Sequence, residues 1–372
     1  MYDRIIKINF KLMEQIKKPN NFISYINTDC SPSHLFNNLS MSNRSLMYIH
    51  NSESQPRIIA IDKRLLNETN SDEKISQYVD KLNNNEINEM LVLKCVLLLD
   101  TYYIAVGLYG GFKIWSFDGN RLLFNIPCKI KVTDKPYAFT VISEYKYNLK
   151  IKQFDSIICG DNYGQIFLVT GSGLNWRGRN IHTNDGGLCP TAITSGLNTP
   201  NYIFVGFETG EVSILKLKSD GASSEVVCMI PSPANLPCLG MGIIETTTDD
   251  NFYLINSYLN GEVRIYKIAQ LSLQSNSSPS ESFSLISKLG THLRMINCML
   301  TYKNYFITAG DDCFINIWRL NKDENISLHS SHELKDKLPV GIALNIKEDG
   351  IELISSTYDN THLALIQIDN LN

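Results

Sequence analysis

The chain has 372 residues, of which 43% are hydrophobic, and its formal net charge is −4. It is long and apolar enough to bury a large core, and its slightly acidic balance gives no overall reason to bind nucleic acid, whose phosphates require a basic surface. The nine cysteines are odd in number and form no CxxC pair, so they indicate neither a disulfide framework nor a zinc ribbon.

The N-terminal stretch MYDRIIKINFKLMEQ lacks the continuous apolar core and the small-residue cleavage site of a signal peptide. No apolar run approaches the length of about 18 residues that a membrane-spanning helix needs. We therefore expect a cytoplasmic protein, or one that also enters the nucleus, with reduced cysteines and no membrane insertion.

Seven segments share one organisation, in which an apolar strand, a turn rich in Gly, Asn or Asp, and a strand of alternating polarity follow one another. In chain order they begin at Ser45, Tyr102, Ser156, Tyr202, Phe252, Tyr305 and Glu352. The residues that close the second strand of each copy are Ile61, Trp115, Val169, Leu215, Tyr266, Trp318 and Ile366. Their mean spacing of about 51 residues is that of a four-stranded propeller blade with loop insertions, so seven copies predict seven blades.

Two inserts interrupt this repeat. Residues 67–88 are polar and carry Ile75, Tyr78, Val79 and Leu82 at helical spacing, which predicts a short surface helix. Residues 270–282 are rich in serine and predict a mobile loop. Either insert is a tolerated surface addition or an element for partner docking or phosphorylation.

The segment YFITAGDDCFINIWRL, residues 305–320, is the most complete copy. Trp318 follows Asp312 by six residues, His292 lies 26 residues before Trp318, and Thr308 falls on the intervening strand. This pattern resembles WD-repeat proteins, in which Asp, His, Ser or Thr, and Trp form a buried hydrogen-bonded chain. The resemblance implies that Asp312 bonds His292, His292 bonds Thr308, and Thr308 meets the indole N–H of Trp318. The alternative is that Asp312 and His292 form a catalytic pair. This is disfavoured because their spacing already matches a structural role.

Beyond the generic repeat, the chain is similar to the WD repeat-containing protein 54 family. The likeness rests on HLFNNLSMSNRSLMYIH (34–50), on the copies ending in NGEVRIYKI and FITAGDDCFINIWRL, and on ALNIKEDGIELISSTYD. Inserts 67–88 and 270–282 depart from the family pattern. The resemblance implies an intracellular, non-enzymatic propeller that acts through protein contacts.

We therefore predict one all-β domain over residues 1–372, a seven-bladed WD40-type β-propeller closed by an N-terminal strand. The last copy ends at Ile368 with four residues remaining, so an N-terminal segment must supply its outer strand if the ring is to have no open edge. Residues 4–10 (RIIKINF) and 22–26 are the candidates, and 4–10 is the favoured one.

The turns between the second and third strands of the blades should surround one end of the central channel. Their candidate partner-binding residues are Tyr109, Asp161, Tyr163, Phe207, Glu208, Tyr258, Asp311, Tyr358 and Asp359. Exposed aromatic side chains with acidic neighbours predict a surface for protein partners or basic peptides rather than RNA. The alternative is that some of these rings pack between blades.

Other functions find weaker signals. No Walker or Rossmann glycine loop is present, and no cofactor is predicted. His329 and His332 have a spacing that could ligate a metal, but no further ligand completes the set, so they predict a solvated pair and no metal site. The rival functions are an enzyme with carboxylates from several blades in the channel and an RNA-binding propeller using Arg177, Arg179, Lys216 and Lys218.

Overall fold

The computed structural model describes residues 23–28, 30–50, 56–63, 75–79, 90–127, 136–148, 150, 152–199, 201–218, 221–245, 251–269, 283–347 and 350–368. Within these ranges the chain is all β, and no helix is long and apolar enough to cross a bilayer. The strands form seven antiparallel sheets of four strands each. The predicted seven-bladed β-propeller is confirmed.

The first three blades follow one another along the chain. Strand β1 (Ile23–Asn27) comes first and belongs to blade 7. Blade 1 contains β2 (Ser40–Met41), β3 (Ser45–His50), β4 (Arg57–Asp62) and β5 (Ile75–Val79). Blade 2 contains β6 (Met90–Leu98), β7 (Thr101–Leu108), β8 (Gly111–Ser116) and β9 (Leu122–Pro127). Blade 3 contains β10 (Phe139–Tyr145), β11 (Ser156–Asp161), β12 (Gln165–Ser172) and β13 (Asn175–Thr183).

The last four blades repeat this order. Blade 4 contains β14 (Pro190–Thr194), β15 (Tyr202–Phe207), β16 (Val212–Leu217) and β17 (Ser224–Ile230). Blade 5 contains β18 (Cys238–Glu245), β19 (Asn251–Tyr258), β20 (Glu262–Ala269) and β21 (Phe283–Gly290). Blade 6 contains β22 (Ile296–Tyr302), β23 (Tyr305–Gly310), β24 (Phe314–Leu320) and β25 (Ile326–Glu333), and blade 7 contains β26 (Pro339–Lys347), β27 (Gly350–Thr357) and β28 (His362–Ile368).

The core lies between the blades. The described residues form seven apolar clusters, and each cluster joins side chains of two neighbouring blades. Between blades 5 and 6, for example, Ile255 and Ile265 meet Phe306 and Trp318. A second strand such as β23 is buried along its whole length, because both faces of its sheet meet a neighbour. This is why the second strands are continuous apolar runs in the sequence.

The N-terminal strand closes the ring. Strand β1 pairs with β28 from Ile23 opposite Ile366 to Asn27 opposite His362. Ile23 packs against the cluster of blades 6 and 7, and Ile26 packs against that of blades 7 and 1. Closure by an N-terminal strand is confirmed, but preferring residues 4–10 was wrong. Those residues lie outside the described ranges, and residues 23–27 already fill the outer position of blade 7.

Residues 30–39, which we name the strap, run from the outer strand of blade 7 to the inner strand of blade 1. Asn38 is its anchor: its side chain donates to the carbonyls of Ser33 (2.8 Å) and Ile49 (2.9 Å) and accepts from the Ile49 amide (2.7 Å). The Asn38 amide donates to the Val340 carbonyl of blade 7 at 2.8 Å. The strap therefore joins the first and last blades.

The helix predicted within residues 67–88 is wrong over Ile75–Val79. This segment is the outer strand of blade 1 and pairs antiparallel with β4. Without it β4 would leave an open edge, and the need to complete the sheet overrides the local helical spacing. Residues 64–74 and 80–89, and the predicted serine-rich loop 270–282, lie outside the described residues.

Truncation tests the closure. We expect removal of residues 1–28 to lower the free energy of unfolding by roughly 3 kcal/mol or more, because β28 loses its ladder partner and two apolar clusters lose Ile23 and Ile26. Removal of residues 1–20 should leave stability near that of the full chain. Urea titration of the three proteins measures the difference, and a large loss with the shorter truncation would contradict the assignment of β1.

Candidate functional site

The turns between second and third strands and the connections between blades lie on the same face of the ring, which we name the rim face. This follows from the antiparallel order of each sheet, since the inner strand starts and the outer strand ends at that face. A cavity of about 730 Å³ opens on the rim face. It occupies the half of the central channel near the start of the inner strands, because its lining takes Leu91–Lys94 from β6 and Leu239–Met241 from β18.

The cavity is largely aliphatic. Six blades each contribute at least one apolar side chain to its lining, among them Leu91, Val141, Ile193, Met241, Leu300 and Ile342. Lys94 also lines it, but its Nζ forms an ion pair with Oε2 of Glu144 at 2.8 Å. The described lining thus offers apolar contact area rather than a cluster of charges.

The mouth of the cavity is aromatic and polar. The strap contributes His34 and Phe36, and Tyr109, Asn162 and Glu208 come from the turns of blades 2, 3 and 4. Phe36 is 43% exposed. Tyr358 of blade 7 is 46% exposed, and its ring centroid lies 5.1 Å from that of His34.

Six of the nine predicted rim residues have exposed or half-buried side chains. Glu208, Tyr358 and Asp359 are exposed, and Tyr109, Tyr163 and Asp311 are half-buried. Tyr163 stacks on Tyr137 with 5.9 Å between ring centroids. Asp311 accepts a hydrogen bond of 2.6 Å from Nδ2 of Asn297. Glu208 accepts one of 3.0 Å from the Cys189 amide.

The other three predicted rim residues are buried, and for the two rings among them this is the alternative of packing between blades. Phe207 is 1% exposed, and Tyr258 and Asp161 are each 0% exposed. Oδ1 of Asp161 accepts from the amides of Tyr163 (3.0 Å) and Gln165 (2.9 Å), so this carboxylate fixes its own turn. At the turn of blade 5 the residue that follows Tyr258, Leu259, is exposed.

A slot beside Gly310 explains why Phe207 and Tyr258 are buried. A Cβ atom on Gly310 would lie only 2.7 Å from Nδ1 of His292, so the imidazole fills the space that a side chain would take. Phe207 and Tyr258 stand at the equivalent position, each following the last paired residue of its second strand. Their rings pack between blades 3 and 4 and between blades 4 and 5. We interpret them as filling the slot where the blade lacks the histidine.

Blade 6 contains most of the predicted buried chain. His292 bonds Oδ1 of Asp312 through Nδ1 (2.8 Å) and Oγ1 of Thr308 through Nε2 (2.9 Å). The link from Thr308 to Trp318 is absent, since Nε1 of Trp318 has no hydrogen-bond partner among the described residues. Thr308 lies opposite Asn316, whereas Trp318 lies opposite Phe306 and stacks on its ring.

The Asp312 carboxylate is held in its charged form. Burial alone would raise the pKa of Asp312, but the hydrogen bond and charge of His292, with the amides of Leu293 and Phe314, outweigh burial and lower the pKa below its ordinary value. The ionised Asp312 carboxylate therefore stabilises the folded protein. This contribution to stability is fully present above the pKa of Asp312 in the unfolded chain, and it is lost as the pH falls through the lower pKa in the folded protein. These contacts all serve the turn of blade 6, and none points to catalysis.

Sequence reasoning missed the residues that come from connections between blades. Phe36 and His34 of the strap, Tyr137, and Leu293, which is 81% exposed, all lie on the rim face. Leu293 immediately follows the buried His292. Their position in the sequence could have predicted this location. Each of them lies shortly before an inner strand, and every connection between blades ends at the rim face.

The basic residues considered for RNA binding lie in the outer half of blades 3 and 4. Arg177 and Arg179 belong to the outer strand β13, and Nη1 of Arg179 donates to the Gly221 carbonyl at 3.2 Å. Lys216 lies opposite Glu225 in the pairing of β16 with β17. The acidic partner interrupts the basic surface that phosphate binding requires.

His329 and His332 are not a solvated pair. They lie in β25, where a register shift opposite Ile317 and Trp318 breaks the alternation, and His329 is exposed whereas His332 is not. His332 is buried and bonds Oγ of Ser330, and the ring of His329 packs edge-on against Tyr305. No group of three or more His, Cys, Asp or Glu side chains within the described ranges is placed to hold a metal ion.

Structural comparison agrees with the ring architecture. The chain is similar to a chain in the crystal structure of the mitotic checkpoint complex, with a TM-score of 0.64 and 9% identity over 93% of this chain and 91% of that one. It is also similar to Raptor of Chaetomium thermophilum, with a TM-score of 0.62 and 14% identity over 94% of this chain but 29% of Raptor. At these identities the likeness shows the fold alone. Neither a family model nor a curated protein matches the chain.

The slot gives a testable prediction for stability. Gly310→Ala should lower the free energy of unfolding by about 1–3 kcal/mol through overpacking against the imidazole. His292→Ala should lower it by about 1–3 kcal/mol, because Asp312 and Thr308 lose their partner. The double variant should lose less than the two single losses together, since an emptied slot accepts the methyl group. Denaturant titration of the four proteins measures this, and strict additivity would contradict the shared slot.

Acid sensitivity should be traceable to His332. Burial, with a smaller effect from the charge of His329, lowers the pKa of His332 to about 4. The unfolded chain takes up this proton near pH 6.5, so stability is lost as pH falls from about 6.5 towards 4. Between pH 7 and 4.5 the free energy of unfolding should fall by about 2 kcal/mol more in the native protein than in the His332→Leu variant. Urea titrations at the two pH values measure this loss for each protein. The same loss in both proteins would contradict a neutral buried imidazole at His332.

Proposed function

We propose that this protein is a non-enzymatic interaction scaffold that binds partner proteins or peptide segments at the channel mouth of its rim face. One observation carries the proposal. Phe36 from the strap and Tyr109 from blade 2 line the cavity, and Tyr358 from blade 7 lies against His34 of the strap, so partly exposed rings from distant parts of the chain gather around the mouth. Buried aromatic anchors supply much of the affinity of protein interfaces.

The structure around the mouth suits binding. Aromatic rings have few rotatable bonds, so they bury a large area at a small loss of side-chain entropy. The strap that carries Phe36 is anchored to two blades through Asn38, so its backbone is fixed before a partner arrives. The cavity beneath adds aliphatic contact area, and its described lining contains a single carboxylate, that of Glu208. This composition supports binding in preference to catalysis by paired carboxylates.

The proposal includes a cytoplasmic location and membership of the WD repeat-containing protein 54 family. Eight described cysteines form no disulfide, in agreement with a reducing compartment. The buried contacts among Asp312, His292 and Thr308 support a WD-type repeat in blade 6. The resemblance of residues 34–50 and of the last three blades to that family remains the argument for it.

The test is partner capture with rim variants. Tyr109→Ala combined with Tyr358→Ala should reduce recovery of specific partners about tenfold or more, because two rings at the mouth are lost. Neither substitution should change the unfolding temperature by much. Affinity capture from cell lysate with quantitative mass spectrometry measures recovery.

A matched control places the same loss of apolar surface elsewhere. Val226→Ala with Met229→Ala removes two exposed side chains from the outer strand of blade 4. Partners should be retained by the control and lost by the rim variant. Recovery of the same partners by both proteins would overturn the rim assignment.

A further inference from the structure

We infer that the channel mouth recognises an extended peptide in which an aliphatic side chain enters the cavity and a neighbouring Lys or Arg side chain pairs with Glu208. The inference rests on the proposed function and specifies the ligand of the same site. It is carried by the lining of the cavity, by the charge at its mouth and by the rings that lie outside it.

The cavity selects an aliphatic group. Its volume of about 730 Å³ falls within the ~300–1,000 Å³ of pockets that enclose a ligand. The side chains of Leu91, Val141, Ile193 and Leu300 approach it from four different blades. Met241, whose flexible thioether adapts to the shape of a guest, completes this wall. A charged or strongly polar group would lose its hydration there without compensation.

The charge at the mouth is negative. Glu208 is exposed, and the Cys189 amide donates to its Oε1 at 3.0 Å. The Glu208 amide donates in turn to the Cys189 carbonyl at 3.0 Å, so the residue is fixed at both its backbone and its side chain. None of the ion pairs formed by described residues involves Glu208. Its carboxylate is therefore oriented at the edge of an apolar cavity, where a cation of a bound peptide can reach it.

Neighbouring charges reinforce the preference for a cation. Glu211 lies beside the turn that carries Glu208, whereas the exposed Asp185, on the connection between blades 3 and 4, lies outside the cavity lining. The one lysine among the described lining residues, Lys94, is already paired with Glu144. An acidic peptide would thus meet repulsion at Glu208 without an available cation beneath it.

The rings around the opening favour a peptide over a small apolar molecule. Tyr358 lies outside the cavity lining, where its ring contacts that of His34 in the strap. A compound enclosed by the cavity would leave Tyr358 uncovered. A chain that crosses the mouth contacts Phe36 and Tyr358 while one of its side chains points down the channel.

An array of synthetic octapeptides tests the inference with the full-length protein. The parent peptide is GSKILKSG, and its variants replace the central pair by LL, MM or SS and the two lysines by arginine or glutamate. Peptides with an aliphatic pair and basic flanks should bind most strongly. Replacement by SS or by glutamate should each weaken binding about tenfold. Absence of binding to every peptide, or equal binding of the basic and acidic sets, would overturn the inference.

Three variants assign the two parts of the site, with dissociation constants measured by fluorescence anisotropy on labelled GSKILKSG. Glu208→Gln keeps an acceptor for the Cys189 amide. It should weaken binding of the basic peptide about fivefold and abolish discrimination against the glutamate peptide. Leu91→Gln should weaken binding of both peptides. Asp185→Asn, the matched control for charge on the same face, should change affinity less than twofold. Equal effects of Glu208→Gln and Asp185→Asn would show that only the general negative field matters and would overturn the pairing with Glu208.

The outcomes separate this inference from the proposed function. If the Tyr109 and Tyr358 variant loses its partners while the array shows no aliphatic and basic preference, the scaffold function stands and the inference fails. If partner capture is unchanged in that variant, the proposed function fails whatever the array shows.

Discussion

The structure depends on packing between neighbouring blades. A four-stranded sheet has two faces, and here each face is covered by the next blade of the ring, so the apolar clusters form a continuous circle. A blade taken alone would expose both of its faces to water. Stability is therefore a property of the closed ring, and the pairing of β1 with β28 completes it.

This constraint also decides what the rim face can display. The end of each second strand lies at the boundary between the core and the surface. In blade 6, Gly310 leaves room there for His292, which Asp312 and Thr308 hold in place. In blades 4 and 5 a ring at the same position packs inward. The rim is therefore built from the residue after this position and from the connections between blades, as Leu259 and Phe36 show.

The sequence was sufficient for the fold because the repeat is strong. Seven copies of strand, turn and strand, with a nearly constant spacing, required a ring of four-stranded sheets, and the missing outer strand of the last blade required a segment from the N-terminus. The choice between residues 4–10 and 22–26 was not decidable from alternation, since both are apolar and both alternate. In blade 1 the spacing of Ile75, Tyr78 and Val79 indicated a helix. The segment is a strand because β4 would otherwise have an unpaired outer edge.

The site was harder to predict, because exposure at a turn changes from one residue to the next. Tyr258 and Leu259 are adjacent, yet only the second meets solvent. The strap was beyond reach for another reason: its place at the channel mouth depends on contacts of Asn37 and Asn38 with the backbones of Asn297 and Val340, far away in the chain. The sequence shows that Glu208 is acidic and that the inner strands are aliphatic. It does not show that these residues lie together at one opening.

The pairing of Ile23 with Ile366 has a consequence for synthesis. Residues 23–27 leave the ribosome long before residues 362–366, so β1 must wait unpaired while blades 1 to 6 are synthesised. Its edge is then a site where other chains could add, and the final step of folding joins segments at the greatest distance in sequence. Blade 7 can therefore be completed only after β28 has been synthesised, which makes ring closure the step most exposed to chaperones and to misassembly.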